Sequence, residues 1–328
     1  MASMTRRSTL ALGAGLALPW RAAAQAPTPV RLVAFAGASN LPVWIGQTQG
    51  IFARHGLEAT LDITPNSRAM ASDLFSGRYD LALTSVDNIV AYNEGQGEAQ
   101  LPGQADFVAL FGVDDGMLSV MAAPDVADLA GLRGRDVSVD AMTTGFAFVL
   151  REILSRQGLA DAVNWVAVGG GAQRLAALRE GKQAATLLNT PLDLIAEAAG
   201  FRRLVRAHDV IGPYQGITAA ARRGVVEERR PALVAFTRAF RESVAWAADP
   251  ANAEAARRLL ETRANMAAPV AAAALAALTD PARGIRRDLS ISQEGMATVL
   301  ALRSRFTGRQ LADPMRYQDA SVLRAAIG

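Results

Sequence analysis

The chain of 328 residues is 51% hydrophobic and 20% charged, with 34 basic against 31 acidic side chains and a formal charge of +3. That is enough apolar material for two domains with cores of their own, at a charged fraction ordinary for a folded soluble chain. The near balance of charge excludes the concentrated basic face that nucleic-acid binding requires, and the lack of cysteine excludes disulfides, a lipid-anchoring cysteine and a thiol nucleophile.

In chain order, residues 1–24 read as an export signal. Arg6 and Arg7 precede a short apolar run over 10–18, followed by small residues and a cleavage position after Ala24. The run is too short to span a membrane. The letters around it resemble a twin-arginine signal, with Thr9 where that motif carries Phe. All three arginines of this segment (Arg6, Arg7 and Arg21) lack acidic neighbours within it, so the mature chain is formally neutral. Export from a bacterium with an outer membrane places the protein free in the periplasm.

The stretch VAFAGASNLPVWIGQTQGIFARHGLEATLD comes next. It predicts a strand over 31–35, a small-residue loop, and a helix opened by Pro42 with Asn40 or Ser39 as its cap. The helix is expected to fail near Gly50, and Gly56 to release a second strand over 58–63. A helix over 68–75, a strand over 80–84, a helix over 85–93 and a strand over 107–113 follow. This alternation specifies a mainly parallel sheet covered by helices.

The same grammar restarts after Asp114-Asp115-Gly116. Strands are expected over 118–122, 136–140, 164–168 and 184–188, with helices over 143–155, 172–179 and 191–198, the last capped by Thr190. One fragment recurs: LFSGRYDLAL at 74–83 and LREGKQAATL at 178–187 both read as a helix end, a glycine stop, a basic residue and a strand. From 215–222, a further strand, the chain turns helical over 231–247, 251–262, 268–278 and 292–307. Phe236, Phe240, Val244 and Ala247 make a core stripe on the first of these, and the helical tail is expected to pack back on the first lobe. The organisation is therefore two α/β lobes, 27–113 with 217–328 and 114–216. Two short crossovers, near 113–118 and 211–217, join them as a hinge requires.

NLPVWIGQTQGIFARHGLEATL followed by LFSGRYDLALTS resembles the opening of substrate-binding proteins of ABC importers in the NMT1/THI5-like group, which includes sulfonate and taurine binders. LAGLRGRDVSVDAMTTGFAFVLREIL is similar to that family's second-lobe start, and RYQDASVLRAA to its usual end. The resemblance covers residue 30 to the C-terminus. It implies the two-lobed periplasmic-binding-protein type II fold with a ligand cleft between lobes, and a monomer that hands a small molecule to a membrane permease and its ATPase.

Open parallel sheets bind ligands beyond the carboxyl ends of their strands. The residues expected at the cleft are Asn40, Leu41, Trp44, Ser85 and Asp87 on the first lobe. Thr143, Thr144, Gly145, Asn189 and Thr190 are expected on the second, with Asp114 at the crossover. Thr144 and Gly145, at a helix start, can hold a carboxylate or sulfonate, or can simply cap the helix. Trp44 can wall the pocket or pack in the core. Asp87 and Asp114 can meet an amine or ring N–H, or serve as a cap and a hinge turn. The ligand class stays open among sulfonates, carboxylates and pyrimidines.

Gly169-Gly170-Gly171 lacks the Lys-Ser/Thr end of a phosphate loop and reads as a tight turn. His55 and His208 have no metal-ligand spacing, and no cofactor is expected. The same family name covers a pyrimidine-forming enzyme of thiamine synthesis, the alternative reading, whose pattern includes a cysteine-rich motif and a cofactor-holding lysine. This chain has no cysteine and a single lysine, Lys182, at a glycine turn.

Overall fold

The computed structural model describes residues 26–328, so the export segment read at 1–24 lies outside the described residues. Ten strands are present: β1 (Thr28–Phe35), β2 (Leu57–Thr64), β3 (Leu81–Ser85), β4 (Phe107–Gly112), β5 (Leu118–Ala122), β6 (Asp136–Val139), β7 (Asn164–Ala167), β8 (Ala185–Asn189), β9 (Arg202–Arg206) and β10 (Ile217–Arg222). The helices are α1 (Leu41–Thr48), α2 (Ile51–Arg54), α3 (Ser67–Phe75), α4 (Val86–Asn93), α5 (Gly145–Ser155), α6 (Gly171–Arg179), α7 (Leu192–Ala198), α8 (Ala207–Ile211), α9 (Arg223–Glu228), α10 (Arg230–Ala248), α11 (Ala253–Arg263), α12 (Ala268–Thr279), α13 (Gln293–Thr307) and α14 (Ser321–Ile327). Among the described residues no helix is long and apolar enough to cross a membrane.

The strands form two five-stranded sheets, ordered β2-β1-β3-β10-β4 and β7-β6-β8-β5-β9. In each sheet one strand, β10 or β5, runs against the other four. Each is the strand that the chain enters after crossing from the other lobe, so a crossover fixes both its place and its direction. The recurring fragment falls at equivalent places in the two sheets: α3–Gly77–β3 and α6–Gly181–β8 both deliver the third strand in the order. Gly77 and Gly181 have φ of 79° and 68°, a left-handed conformation that side chains resist, which is why glycine ends both helices.

Burial explains the apolar runs. Every residue of β3, β4 and β5 is buried: β3 and β5 are interior strands covered on both faces, and β4, though at the end of its sheet, is covered as well. The stripe on α10 is core: Phe236 and Phe240 are fully buried. Phe236 stacks on Phe52 of α2 at 5.3 Å between ring centroids, and Phe240 meets Phe111 of β4 at 5.2 Å. Burying one such ring stabilises the fold by about 2–3 kcal/mol.

Several local expectations are corrected. Asn40 does not cap α1 through its side chain; its Nδ2 donates to the Phe35 carbonyl at 2.8 Å, and Ser39 Oγ donates instead to Asp114. Thr190 does not cap α7, because Pro191, joined to it by a cis bond, takes the N-cap position. Strand β9 and helix α8 escaped the pattern reading. β9 has only Leu204 and Val205 between arginines, a composition suited to the sheet edge it occupies. The tail does not pack on the first lobe alone: α13 lies against both α4 and α5. Its Phe306 stacks on Phe148 of α5 at 5.4 Å, and its Arg305 pairs with Glu152 at 2.5 Å.

Candidate functional site

The loops that leave the carboxyl ends of β1, β2 and β3 touch those that leave β6, β7 and β8. A Cβ on Gly37 would lie 3.6 Å from Asn189 Nδ2, and one on Gly170 would lie 3.3 Å from the Pro65 carbonyl. Nearest of all are α4 and α5. A Cβ on Gly145 would fall 2.3 Å from the Asp87 carboxyl carbon, so only glycine admits that carboxylate at the start of α5.

The charge there is balanced within the chain. Arg303 of α13 is fully buried and Asp87 nearly so. Arg303 Nε donates to Asp87 Oδ1 at 2.8 Å and Nη2 to Oδ2 at 2.5 Å, a two-pronged pair. Nη1 donates to Gln96 Oε1 and Nη2 also to the Thr143 carbonyl, while the guanidinium lies 5.1 Å from the Phe148 ring centre. Asp87 thus sits where the dipole of α5 favours an anion, and Arg303 offsets its charge from the other side.

Thr144 caps α5, as its hydroxyl accepts from the Ala147 N–H at 3.4 Å and donates to Asp140 Oδ1 at 2.5 Å. Thr143 reaches across to Glu98 of the first lobe. Ser85 caps α4 by accepting from the Asp87 N–H. Asn189 donates to the Thr190 carbonyl at 3.3 Å. Asp140 stands 3.8 Å from Arg174, a buried residue whose Nη atoms donate to the Gly169 and Leu187 carbonyls. Burial pulls the Arg174 guanidinium below its usual pKa, and Asp140 opposes that shift.

At the hinge Asp114 Oδ1 accepts from the backbone N–H groups of Gly116 (2.9 Å) and Ile217 (3.2 Å), one from each crossover, and Oδ2 accepts from Ser39. Burial pushes its carboxyl up to about 6 despite those donors. Leu41 and Trp44 belong to the buried apolar cluster of the first lobe, and Leu41 borders a small void with Val244, Leu278 and Ile285. Asp87, Thr143, Thr144 and Gly145 are therefore brought together. Ser85 adjoins them, Asn189 and Thr190 lie along the same seam, and Asp114 ties the crossovers.

Arg303, Arg174, Asp140 and Tyr214 were not among the residues expected at the cleft. Arg303 carried a signal, since Met296, Val299 and Leu300 set a buried stripe on α13 that position 303 continues. Arg174 likewise shares a stripe with Leu175 and Leu178. A charge on an apolar stripe asks for a buried partner.

Two lobes of matching strand order, joined by two crossovers and closed over a polar seam, find their counterpart in a family model, described as the NMT1-like family, that matches residues 23–261. The chain belongs to the NMT1-like family. No curated protein sequence matches this NMT1-like chain. Among solved structures it is similar to the periplasmic nitrate-binding protein NrtA from Synechocystis PCC 6803, with 14% identity and a TM-score of 0.75 over 92% of this chain and 88% of that one. It is similar also to the periplasmic aliphatic sulphonate binding protein SsuA from Escherichia coli, with 18% identity and a TM-score of 0.68 over 91% and 96% of the two chains. A third is the ligand binding component of an ABC-type import system from Staphylococcus aureus, solved with zinc bound, at 14% identity and a TM-score of 0.74 over 91% and 99%. At these identities the likeness establishes the fold, the two-lobed periplasmic-binding-protein type. In this NMT1-like chain no group of three or more His, Asp or Glu side chains is arranged to hold a metal among the described residues.

Proposed function

We propose that the chain is the solute-binding component of an ABC importer. It captures a small polar or anionic organic molecule, of the sulfonate, carboxylate or pyrimidine class, in the periplasm and delivers it as a monomer to a permease and ATPase. The observation that carries this reading is the seam itself: polar side chains and helix starts from both lobes converge across a two-stranded hinge. That arrangement turns ligand contacts into a shift between open and closed forms. Family membership supports it, as do the printed roles of the structural neighbours. The lone lysine supports a role without covalent chemistry, since Lys182 is exposed and pairs with Glu180 at 2.7 Å, away from the seam.

On this reading the ligand lies along Ser85, Asp87, Thr143, Thr144, Gly145, Asn189 and Thr190, with Asp114 registering closure. The mature chain is expected to show a raised melting temperature with at least one member of a panel of sulfonates, carboxylates and pyrimidines, because binding to the native state alone stabilises it. Mass spectrometry of the molecule that co-purifies identifies the class directly. Thr144→Trp is expected to abolish the thermal response while the chain stays folded. A panel with no response refutes the proposal, and a response kept by Thr144→Trp moves the site elsewhere.

A further inference from the structure

We propose that Tyr214 is a ligand-contacting residue of this seam, its hydroxyl donating to an oxygen acceptor (carboxylate, sulfonate or carbonyl) of the captured molecule. The inference rests on the solute-binding reading above.

Tyr214 lies in the second crossover, between α8 and β10, and is 2% exposed. Its ring packs on the first crossover, where a Cβ at Gly116 would come within 2.9 Å of it. Ser85, Asp87, Arg303 and Asp140, the polar and charged groups of the seam, are the side chains close enough to act on its hydroxyl. It makes no hydrogen bond of normal geometry among the described residues. Ser85 is close enough to temper its acidity, but the two hydroxyls do not meet at hydrogen-bond geometry, and Ser85 Oγ accepts from the Asp87 N–H.

A buried hydroxyl without a partner costs free energy, and native folds rarely keep one. The nearby carboxylates accept from other donors, Asp87 from Arg303 and Asp140 from Thr144, and neither accepts from the phenol. The phenol stays protonated, since burial and the Asp87 charge both push its pKa well above the usual value. It therefore presents a fixed O–H, and what satisfies an O–H is an oxygen with a free lone pair. The position also gives recognition a mechanical reading. One residue stands on both crossovers and on the seam, so a bond to its tip depends on the hinge geometry that closure sets.

The test uses the mature chain and Tyr214→Phe, which removes the hydroxyl and keeps the ring. Two quantities are measured: urea stability without ligand, and calorimetric affinity for taurine, succinate and cytosine, which represent the three classes. The expected result is stability equal to or above wild type, together with about a tenfold loss of affinity for whichever probe the wild type binds. Equal affinity in the two proteins overturns the role of Tyr214 and leaves the solute-binding reading standing. A less stable Tyr214→Phe also overturns it, because the hydroxyl would then be paired within the fold. A wild type that binds none of the probes counts against the solute-binding reading itself, and the role of Tyr214 falls with it.

Discussion

Replacing Asp114 with Asn tests whether the hinge carries a charge that it would be more stable without. In the fold the Asn Oδ1 can keep both acceptances from Gly116 and Ile217, and its Nδ2 can face Ser39 Oγ, so the geometry survives and only the charge is lost. Burial raises the Asp114 carboxyl from 3.8 to about 6. A carboxyl with a raised folded-state pKa gives stability that is fully present below the unfolded value and is lost as pH rises through the folded one. At pH 7.5 the ionised group therefore costs about 3 kcal/mol, and at pH 5 about 1.5 kcal/mol, from about 1.4 kcal/mol per pKa unit. Asp114→Asn is expected to be the more stable protein in urea denaturation of the mature chain, with an advantage that roughly halves between pH 7.5 and pH 5. An advantage independent of pH, or a loss of stability at both values, refutes the reasoning and makes the carboxylate charge itself what holds the crossovers together.

Arg303→Met leaves Asp87 buried without its partner and is expected to cost about 3–5 kcal/mol in urea denaturation. Adding Asp87→Asn is expected to recover most of that loss, and a double variant no better than the single removes the pair as the explanation. Gly145→Ala puts a methyl group on a carboxylate that Arg303 holds in place, which should cost the closed form about 1–3 kcal/mol. Small-angle scattering should then report a larger radius of gyration for the ligand-free variant, and an unchanged radius would contradict the close approach of α4 to α5.

Fold and site differ in how far each could be read from the letters. Strand–helix alternation, glycine stops and the α10 stripe are local patterns, so both sheets and both crossovers were legible. β9 was not, because an edge strand needs few apolar residues, and its flanking arginines masked Leu204 and Val205. The helix starts at Ser85 and Thr144 were legible because a cap is set within a few residues of itself. Asn40 looked the same in sequence, yet its Nδ2 donates to the Phe35 carbonyl and its side-chain oxygen accepts no N–H of α1. What gives the seam its character was out of reach of local reading: Arg303 meets Asp87 across 216 positions of chain, and no spacing rule reports such a partner. Leu41 and Trp44 lie in the buried apolar cluster, for Trp44 one of the two readings left open, since the face a first-turn side chain shows depends on which helices pack over it, here α10 and α12 beside Leu41.

The placement of β10 also sets an order of assembly during synthesis. All five strands of the second sheet lie between residues 118 and 206, so that sheet can be complete as soon as this stretch is free. The first sheet must wait for residues 217–222 to enter between β3 and β4. Until they do, two strands built to be buried on both faces present open edges, the features most prone to pair with other chains. A chain that ends before Ile217 would hold one finished lobe and one divided lobe, and a holding chaperone would find its work on the part made first.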